Sequence, residues 1–442
     1  MRYLVPCFLL LAAMPAPAAT RFIVRFADQA SAEAARVAST PPAPSARARR
    51  AARLVDPGQP RHVATLATGA QLFDVDDGNP AHFVRLPGVV SVEEDRMARP
   101  FALPDPLYPR QWSLHDARAG IDANVAWART RGAGALVAVL DSGITAHPEL
   151  DGQQVPGYDF VSDADRARDG DGRDADPRDE GDWEDPGECG RRRAAAPSTW
   201  HGTHVAGLAV ARRGNQLGIV GVAPEAKLMP VRVLAACGGR LSDIIDAIAW
   251  ASGGHVPGVP AASRRADAIN LSLGLEGACG AALGDAIAQA RARGSVVVAA
   301  AGNESVAATT FAPGNCPGVV AVGALDRRAG QAWYSNHGAG VTLAAPGGAL
   351  ARQRIDDLIS AVDQGSRTPW RSVFRYMAGT SMAAPLVSGT VALMRSLDPD
   401  LGVDEVARHL VDNARPARCP KGCGAGLLDA GATLDAVAQG RP

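Results

Sequence analysis

Four short stretches of this chain are almost wholly apolar, and they constrain its fold more than any other feature. They are Ala135-Leu136-Val137-Ala138-Val139-Leu140, Ala268-Ile269-Asn270-Leu271-Ser272-Leu273, Ser295-Val296-Val297-Val298-Ala299-Ala300 and Val319-Val320-Ala321-Val322. A strand with one wet face alternates apolar and polar residues. A strand covered on both faces reads as a continuous apolar run. Leu241 to Ser252 and Ala281 to Arg293, between these runs, have helical composition. The expectation is an α/β fold, with helices on a mainly parallel central sheet.

At 442 residues the chain exceeds a typical single domain. Residues 1–18 have the pattern of a signal peptide: Arg2, an apolar run from Leu4 to Met14, and small residues at Ala16-Pro17-Ala18. The alternative is a buried N-terminal strand. The run is too short to cross a bilayer, and no other segment reaches about 18 consecutive apolar residues. Residues 19–100 carry strand-like runs at Arg21 to Phe26 and Gly88 to Glu93, around a Pro/Ala/Arg-rich loop from Thr40 to Arg53. That is enough for a small α+β unit. Prolines 100, 104, 106 and 109 mark the boundary with a large unit, residues 101–442. A formal net charge of −1 gives no reason to expect nucleic acid or a membrane surface as partner.

Export changes how the cysteines read. Apart from Cys7, inside the leader, there remain Cys189, Cys237, Cys279, Cys316, Cys419 and Cys423. An even set in an exported chain argues for disulfides, and spacing alone leaves about 15 pairings open. A metal site is the rival reading, but neither a Cys-x-x-Cys pair nor zinc-finger spacing supports it. Cys419 and Cys423 would close a very short loop.

Three motifs carry chemistry. Asp141-Ser142-Gly143 ends a buried strand. His201-Gly202-Thr203-His204-Val205-Ala206-Gly207 and Gly379-Thr380-Ser381-Met382-Ala383-Ala384-Pro385 each read as a loop entering a helix. A serine hydroxyl attacks only when a base takes its proton, and the base needs a third group to hold its tautomer. Ser381, His201 and Asp141 are those three types, placed where parallel sheets form ligand sites. Ala299-Ala300-Ala301-Gly302-Asn303-Glu304 adds an amide that can donate to an oxyanion beside the Ser381 N–H.

With VAVLDSGI, HGTHVAG, AAAGNE and GTSMAAP in this order, the chain resembles the subtilases, the subtilisin family of serine proteases. The likeness spans residues 105 to 435. It implies a subtilisin-like three-layer sandwich. Asp141, His201 and Ser381 would form the triad, Asn303 the oxyanion hole, and His204 a structural neighbour. Ser272, Leu273, Gly274 and Gly302 would bind substrate, beside a roomy, apolar pocket. Residues 19–100 resemble the family's inhibitory propeptide, which the enzyme would cut from itself between Met97 and Asp105. Three-disulfide relatives imply Cys189–Cys237 and Cys279–Cys316, alongside Cys419–Cys423. The resemblance further implies a secreted endopeptidase, a monomer, acting on proteins or peptides with its own propeptide as inhibitor. A catalytically silent binding protein and a maturation protease with one target are the competing readings. Ala384, Leu386 and Ser388 depart from residues common after the nucleophile, and the stretch from Asp141 to His201 is unusually long.

That length comes from a segment between Asp163 and Glu188, dense in Asp and Gly, which is expected to be a surface insertion contributing little core. Asp169, Asp171, Asp174 and Asp176 are close-spaced oxygen ligands that suit structural calcium, and a solvated acidic loop is the alternative. The resemblance implies a second calcium position at Asp105, Glu149 and Asn215, near Gln111, with Glu149 where the family usually has Asp.

Overall fold

The computed structural model describes residues 20–39, 59–96, 105–350 and 354–440. The leader (1–18), Cys7, the Thr40 to Arg53 loop and most of the expected cleavage region (97–104) lie outside them. The chain divides into two compact units, Met1–Phe101 and Ala102–Pro442.

The first unit is a four-stranded antiparallel sheet with a helix, Gln29–Ala38. Asp28 caps this helix by accepting from the Ser31 N–H at 2.7 Å. Strand Thr20–Phe26 is central, paired with Gln71–Val75 and Val89–Glu94, and turns Phe22 and Val24 inward. They meet Ala35, Phe73, Val75 and Phe83 in a small core.

In the second unit the four apolar runs become neighbouring strands. The sheet strands are β1 (Leu136–Asp141), β2 (Tyr158–Asp159), β3 (Lys227–Arg232), β4 (Ala268–Leu271), β5 (Val296–Ala300), β6 (Val320–Leu325) and β7 (Leu343–Pro346). Their order is β7-β6-β5-β4-β1-β3-β2, and every pairing is parallel. The principal helices are α1 (His201–Val210), α2 (Leu241–Ala251), α3 (Ala281–Ala292) and α4 (Thr380–Leu397). Alternate residues serve opposite faces. Val137 and Val139 of β1 join Val296 and Val298 of β5 under α1 and α4. Leu136, Ala138 and Leu140 join Ile269, Leu271 and Val297 under α2 and α3. Both faces are covered, which is why the runs are continuous rather than alternating.

The order of strands reverses at β1. The chain lays β2 and β3 on one side of it, then β4 to β7 on the other. A crevice opens where such a reversal brings adjacent strand ends together. Asp141 is the last residue of β1, and Ser272 follows the end of β4.

The Asp-rich segment lies mostly at the surface, as expected, but it is tied down at a few buried residues, Ala167, Asp179 and Gly181. Its backbone packs on the turn after β1: Ile144 N–H donates to Pro177 O at 3.2 Å, and Asp179 N–H to Ile144 O at 3.3 Å. Gly143 (φ +91°) must be glycine there, because a Cβ would sit 2.6 Å from Pro177 O. Arg232, wholly buried at the end of β3, holds Asp159 and Asp169 at 2.7 Å each. The residues that made the segment read as exposed are short and polar, so the backbone can come close and hydrogen bonds replace lost water.

Candidate active site

His201 opens α1, and Nδ1 lies 2.8 Å from Asp141 Oδ1. Asp141 is 1% exposed, and the same oxygen accepts the Ser142 N–H at 2.8 Å. The Nδ1–H tautomer leaves Nε2 as the basic nitrogen. Burial disfavours charge on His201, but the carboxylates of Asp141, Asp182 and Asp179 outweigh it, so its pKa lies above the usual histidine value. His204, one turn on, has the opposite fate. It is fully buried, its Nε2 reaches the carbonyls of Leu358 and Arg375 at 3.1 Å, and burial pushes its pKa down to about 3. The two imidazoles thus differ: His204 is held neutral between two carbonyls, and His201 has its proton affinity raised beside Asp141.

Ser381 lies in the first turn of α4. Its Oγ donates to Ser272 O at 3.2 Å, and no hydrogen bond joins it to His201 among the described residues. Proline at 385 removes the N–H that would meet the Ser381 carbonyl four residues back. Ser272 Oγ takes that carbonyl instead, at 2.8 Å. Ser272 Oγ in turn accepts from Asn270 Nδ2 at 2.9 Å, and Asn270 Oδ1 accepts from Ser388 Oγ at 2.8 Å. The start of α4 is thus bolted to the end of β4.

Asn303 follows β5. Its Oδ1 accepts from Thr380 N–H at 2.8 Å and Thr380 Oγ1 at 3.0 Å, which orients the amide and leaves Nδ2 as a free donor. The Ser381 N–H, in the same helix turn, has no intrahelical partner to satisfy. Gly302 (φ +102°) cannot carry a side chain, since a Cβ would lie 2.2 Å from Asn336 Nδ2. Asn336, 1% exposed, accepts from the N–H groups of Glu304 and Val306 and donates to Ala301 O, fixing the loop.

Two cavities flank Ser272 to Gly274. One, of about 600 Å³, includes His201, Asp182, Leu234, Ile244, Leu273 and Leu275. The other, of about 210 Å³, is lined by Gly274, Gly302, Asn303, Glu304, Phe311 and Ser381. Beside small residues, the lining of the second cavity includes the aromatic Phe311 and the acidic Glu304. Glu304 Oε2 accepts from Asn303 N–H at 2.7 Å and Asn336 Nδ2 at 2.9 Å. Leu273 and Gly274 make no backbone hydrogen bond among the described residues.

The six cysteines are bonded as Cys189–Cys237, Cys279–Cys316 and Cys419–Cys423. Of the candidate calcium ligands, Asp105, Glu149 and Asn215 gather. Glu149, wholly buried, accepts from Asn215 Nδ2 and Ile219 N–H at 2.8 Å, and Asp105 accepts from Gly214 N–H. Burial raises the Glu149 pKa, and Asp105 adds to the rise. Gln111 is occupied by both backbone groups of Val220. In the Asp-rich segment, Asp169 pairs with Arg232 and Asp176 with Arg178, so those two do not fit a cation site. Asp171 and Asp174 stay close enough that Asp174 raises the Asp171 pKa after desolvation. No group of three or more His, Cys, Asp or Glu is arranged to hold a metal among the described residues.

A family model described as the Peptidase S8 subtilase family matches residues 132–426. The chain belongs to the subtilase family. This subtilase is 43% identical over 358 residues to an extracellular protease of Xanthomonas campestris, covering 80% of its own length and 60% of that relative. It is 39% identical to an extracellular basic protease of Dichelobacter nodosus, over 96% of its own length and 72% of that relative. Among solved structures, a protease of Pseudoalteromonas arctica PAMC 21717 superposes with a TM-score of 0.74 at 45% identity, covering 75% of this chain and 98% of that one. No helix of the described residues is long and apolar enough to cross a membrane.

Sequence reasoning passed over Thr380, Asn270 and Asn336, although the first two stand inside quoted runs. It also treated Asp179 as one more acid of a loop. Their roles arise from contacts across the fold, and no local spacing signals them.

Proposed function

We propose that this subtilase is a secreted serine endopeptidase that hydrolyses peptide bonds of extracellular proteins and frees itself by removing residues up to about 100. The observation that carries the reading is the buried Asp141–His201 hydrogen bond, at the strand reversal that also receives the start of α4. A binding protein with a silent site has no need of a carboxylate held at the imidazole Nδ1.

In this reading an extended peptide pairs with the unbonded backbone at Leu273 and Gly274. The Ser381 proton leaves the Ser272 carbonyl for His201 Nε2 as Oγ attacks the scissile carbonyl. Asp141 stabilises the imidazolium, and the oxyanion accepts from Asn303 Nδ2 and the Ser381 N–H. His201 then protonates the leaving amine, and water repeats the sequence on the acyl-enzyme. The extracellular relatives and the leader-like start support secretion, and the small α+β unit supports a propeptide.

Structural calcium is the group that Asp105, Glu149 and Asn215 would take: two buried carboxylates lie together without a hydrogen-bonded cation among the described residues. Their oxygens accept from Asn215 Nδ2 and from the Ile219 and Gly214 N–H groups, so the Asn215 amide would have to turn its Oδ1 inward. Calcium there would supply the positive charge that this pair lacks.

Three outcomes are expected. The wild-type precursor shortens near residue 100 and gains casein hydrolysis, whereas Ser381→Ala stays long and inert. Retention of full length by active wild type would refute self-processing. A chelator lowers the thermal midpoint of the wild type and leaves Glu149→Gln unchanged, and equal shifts in both would exclude this site. Glu304→Gln reduces cleavage after lysine relative to leucine by roughly 2- to 5-fold, as expected for losing one solvated ion pair. An unchanged ratio in a peptide library would remove Glu304 from the specificity pocket.

A further inference from the structure

Asp179 stands within the Asp-rich segment, yet it is 1% exposed and touches the turn that carries the triad carboxylate. Its Oδ2 accepts the Ser142 hydroxyl proton at 2.7 Å, and its Oδ1 accepts the Gly181 N–H at 2.9 Å. A serine hydroxyl has one proton, so giving it to Asp179 leaves a lone pair facing elsewhere. That lone pair accepts the Gly202 N–H at 3.0 Å. Gly202 follows His201 in the first turn of α1, where N–H groups have no intrahelical acceptor. The contact is close: a Cβ on Gly202 would lie 2.3 Å from Gly143 O and 3.1 Å from the Asp141 Cβ.

The arrangement matters because Asp141 is held from one side. Its Oδ1 receives both His201 and the Ser142 N–H, while Oδ2 is buried without a hydrogen-bond partner. The orientation of the carboxylate therefore depends on where the Ser142 turn sits relative to the start of α1. Two side chains span the turn and the helix start: Thr203 Oγ1 accepts the Thr145 N–H at 2.9 Å, and Ser142, the nearer to Asp141, accepts the Gly202 N–H with its rotamer held by Asp179.

We propose that Asp179 is a positioning residue of the triad: by holding the Ser142 hydroxyl, it keeps the helix start that carries His201 in register with Asp141. The inference rests on the protease reading above and adds a member that the triad pattern does not contain. The charged groups facing Asp179 are Asp182 on its own segment, Arg232 at the end of β3, and His201 across the Ser142 turn. Burial pushes the Asp179 carboxyl up to about 7, with Asp182 adding to the rise and the Ser142 hydroxyl, the Gly181 N–H and Arg232 opposing it. Its ionised form also helps to raise the proton affinity of His201. Position and charge can be separated at Ser142, because asparagine keeps one acceptor for its hydroxyl and removes the charge, giving up only the acceptor for the Gly181 N–H.

The test compares wild type, Asp179→Ala, Asp179→Asn, Ser142→Ala and Ser381→Ala. Competent enzyme is counted by titration with a phosphonate inhibitor, and kcat and KM for a peptide anilide are read across pH 5 to 10. Asp179→Ala and Ser142→Ala should each lose roughly 10- to 100-fold in kcat with KM nearly unchanged, the scale expected for a misplaced catalytic group. Asp179→Asn should recover most of that kcat, with its acid limb of kcat/KM moved to lower pH because a negative charge near His201 is gone. If Asp179→Ala fails to mature, Asp179→Asn and Ser142→Ala give the same contrast. Wild-type kcat and pH profile in these variants would overturn the proposal. So would a loss shared equally by alanine and asparagine, with an unmoved acid limb and a parallel fall in thermal midpoint. A wild type as inert as Ser381→Ala would defeat the protease reading and this inference with it, whereas failure of the Asp179 contrasts alone leaves the protease reading standing.

Discussion

Taking a carboxylate out of water costs several kcal/mol unless donors replace the hydration it loses. Asp141 is 1% exposed, so the second unit has to bring donors to the end of β1. Two arrive at one oxygen, from the His201 ring and from the Ser142 backbone. Meeting that demand fixes where α1 begins, how the turn after β1 runs and which nitrogen of His201 is left basic. The Asp-rich segment, the start of α1 and β3 are then packed around that turn through Asp179, Gly202 and Arg232.

The Ser381 side of the crevice follows a similar economy of backbone groups. Proline at 385 frees the Ser381 carbonyl, and Ser272 answers it. One side chain thereby ties the helix that carries the proposed nucleophile to the strand end where the proposed peptide would lie. Thr380 does the same for Asn303, holding its carbonyl so that its NH₂ remains available. In each case a group needed for chemistry is left free because a neighbour occupies the alternative.

Much of this was legible in the sequence. Continuous runs such as Ala135 to Leu140 announce strands buried on both faces, and they form adjacent parallel strands as the pattern requires. The positions of Asp141, His201 and Ser381 at strand ends and helix starts follow from the same pattern. Asp179 was not legible, because acidic density and glycine are the signature of an exposed loop. Its buried place depends on a hydroxyl at 142 that is distant along the chain. Glu304 was visible beside Asn303, but whether its carboxylate entered the pocket depended on Asn336 drawing the loop in. Local composition reports propensity, and such tertiary hydrogen bonds leave no periodicity to read.

The central claim is that Ser381 is the activated nucleophile of this Asp141–His201 pair. The most direct measurement is to treat the mature chain with a fluorophosphonate and map the adduct by peptide mass spectrometry. The account predicts a single stoichiometric adduct on Ser381, lost when His201 is replaced by alanine. An unlabelled chain, or an adduct on another residue with Ser381 intact, would contradict it.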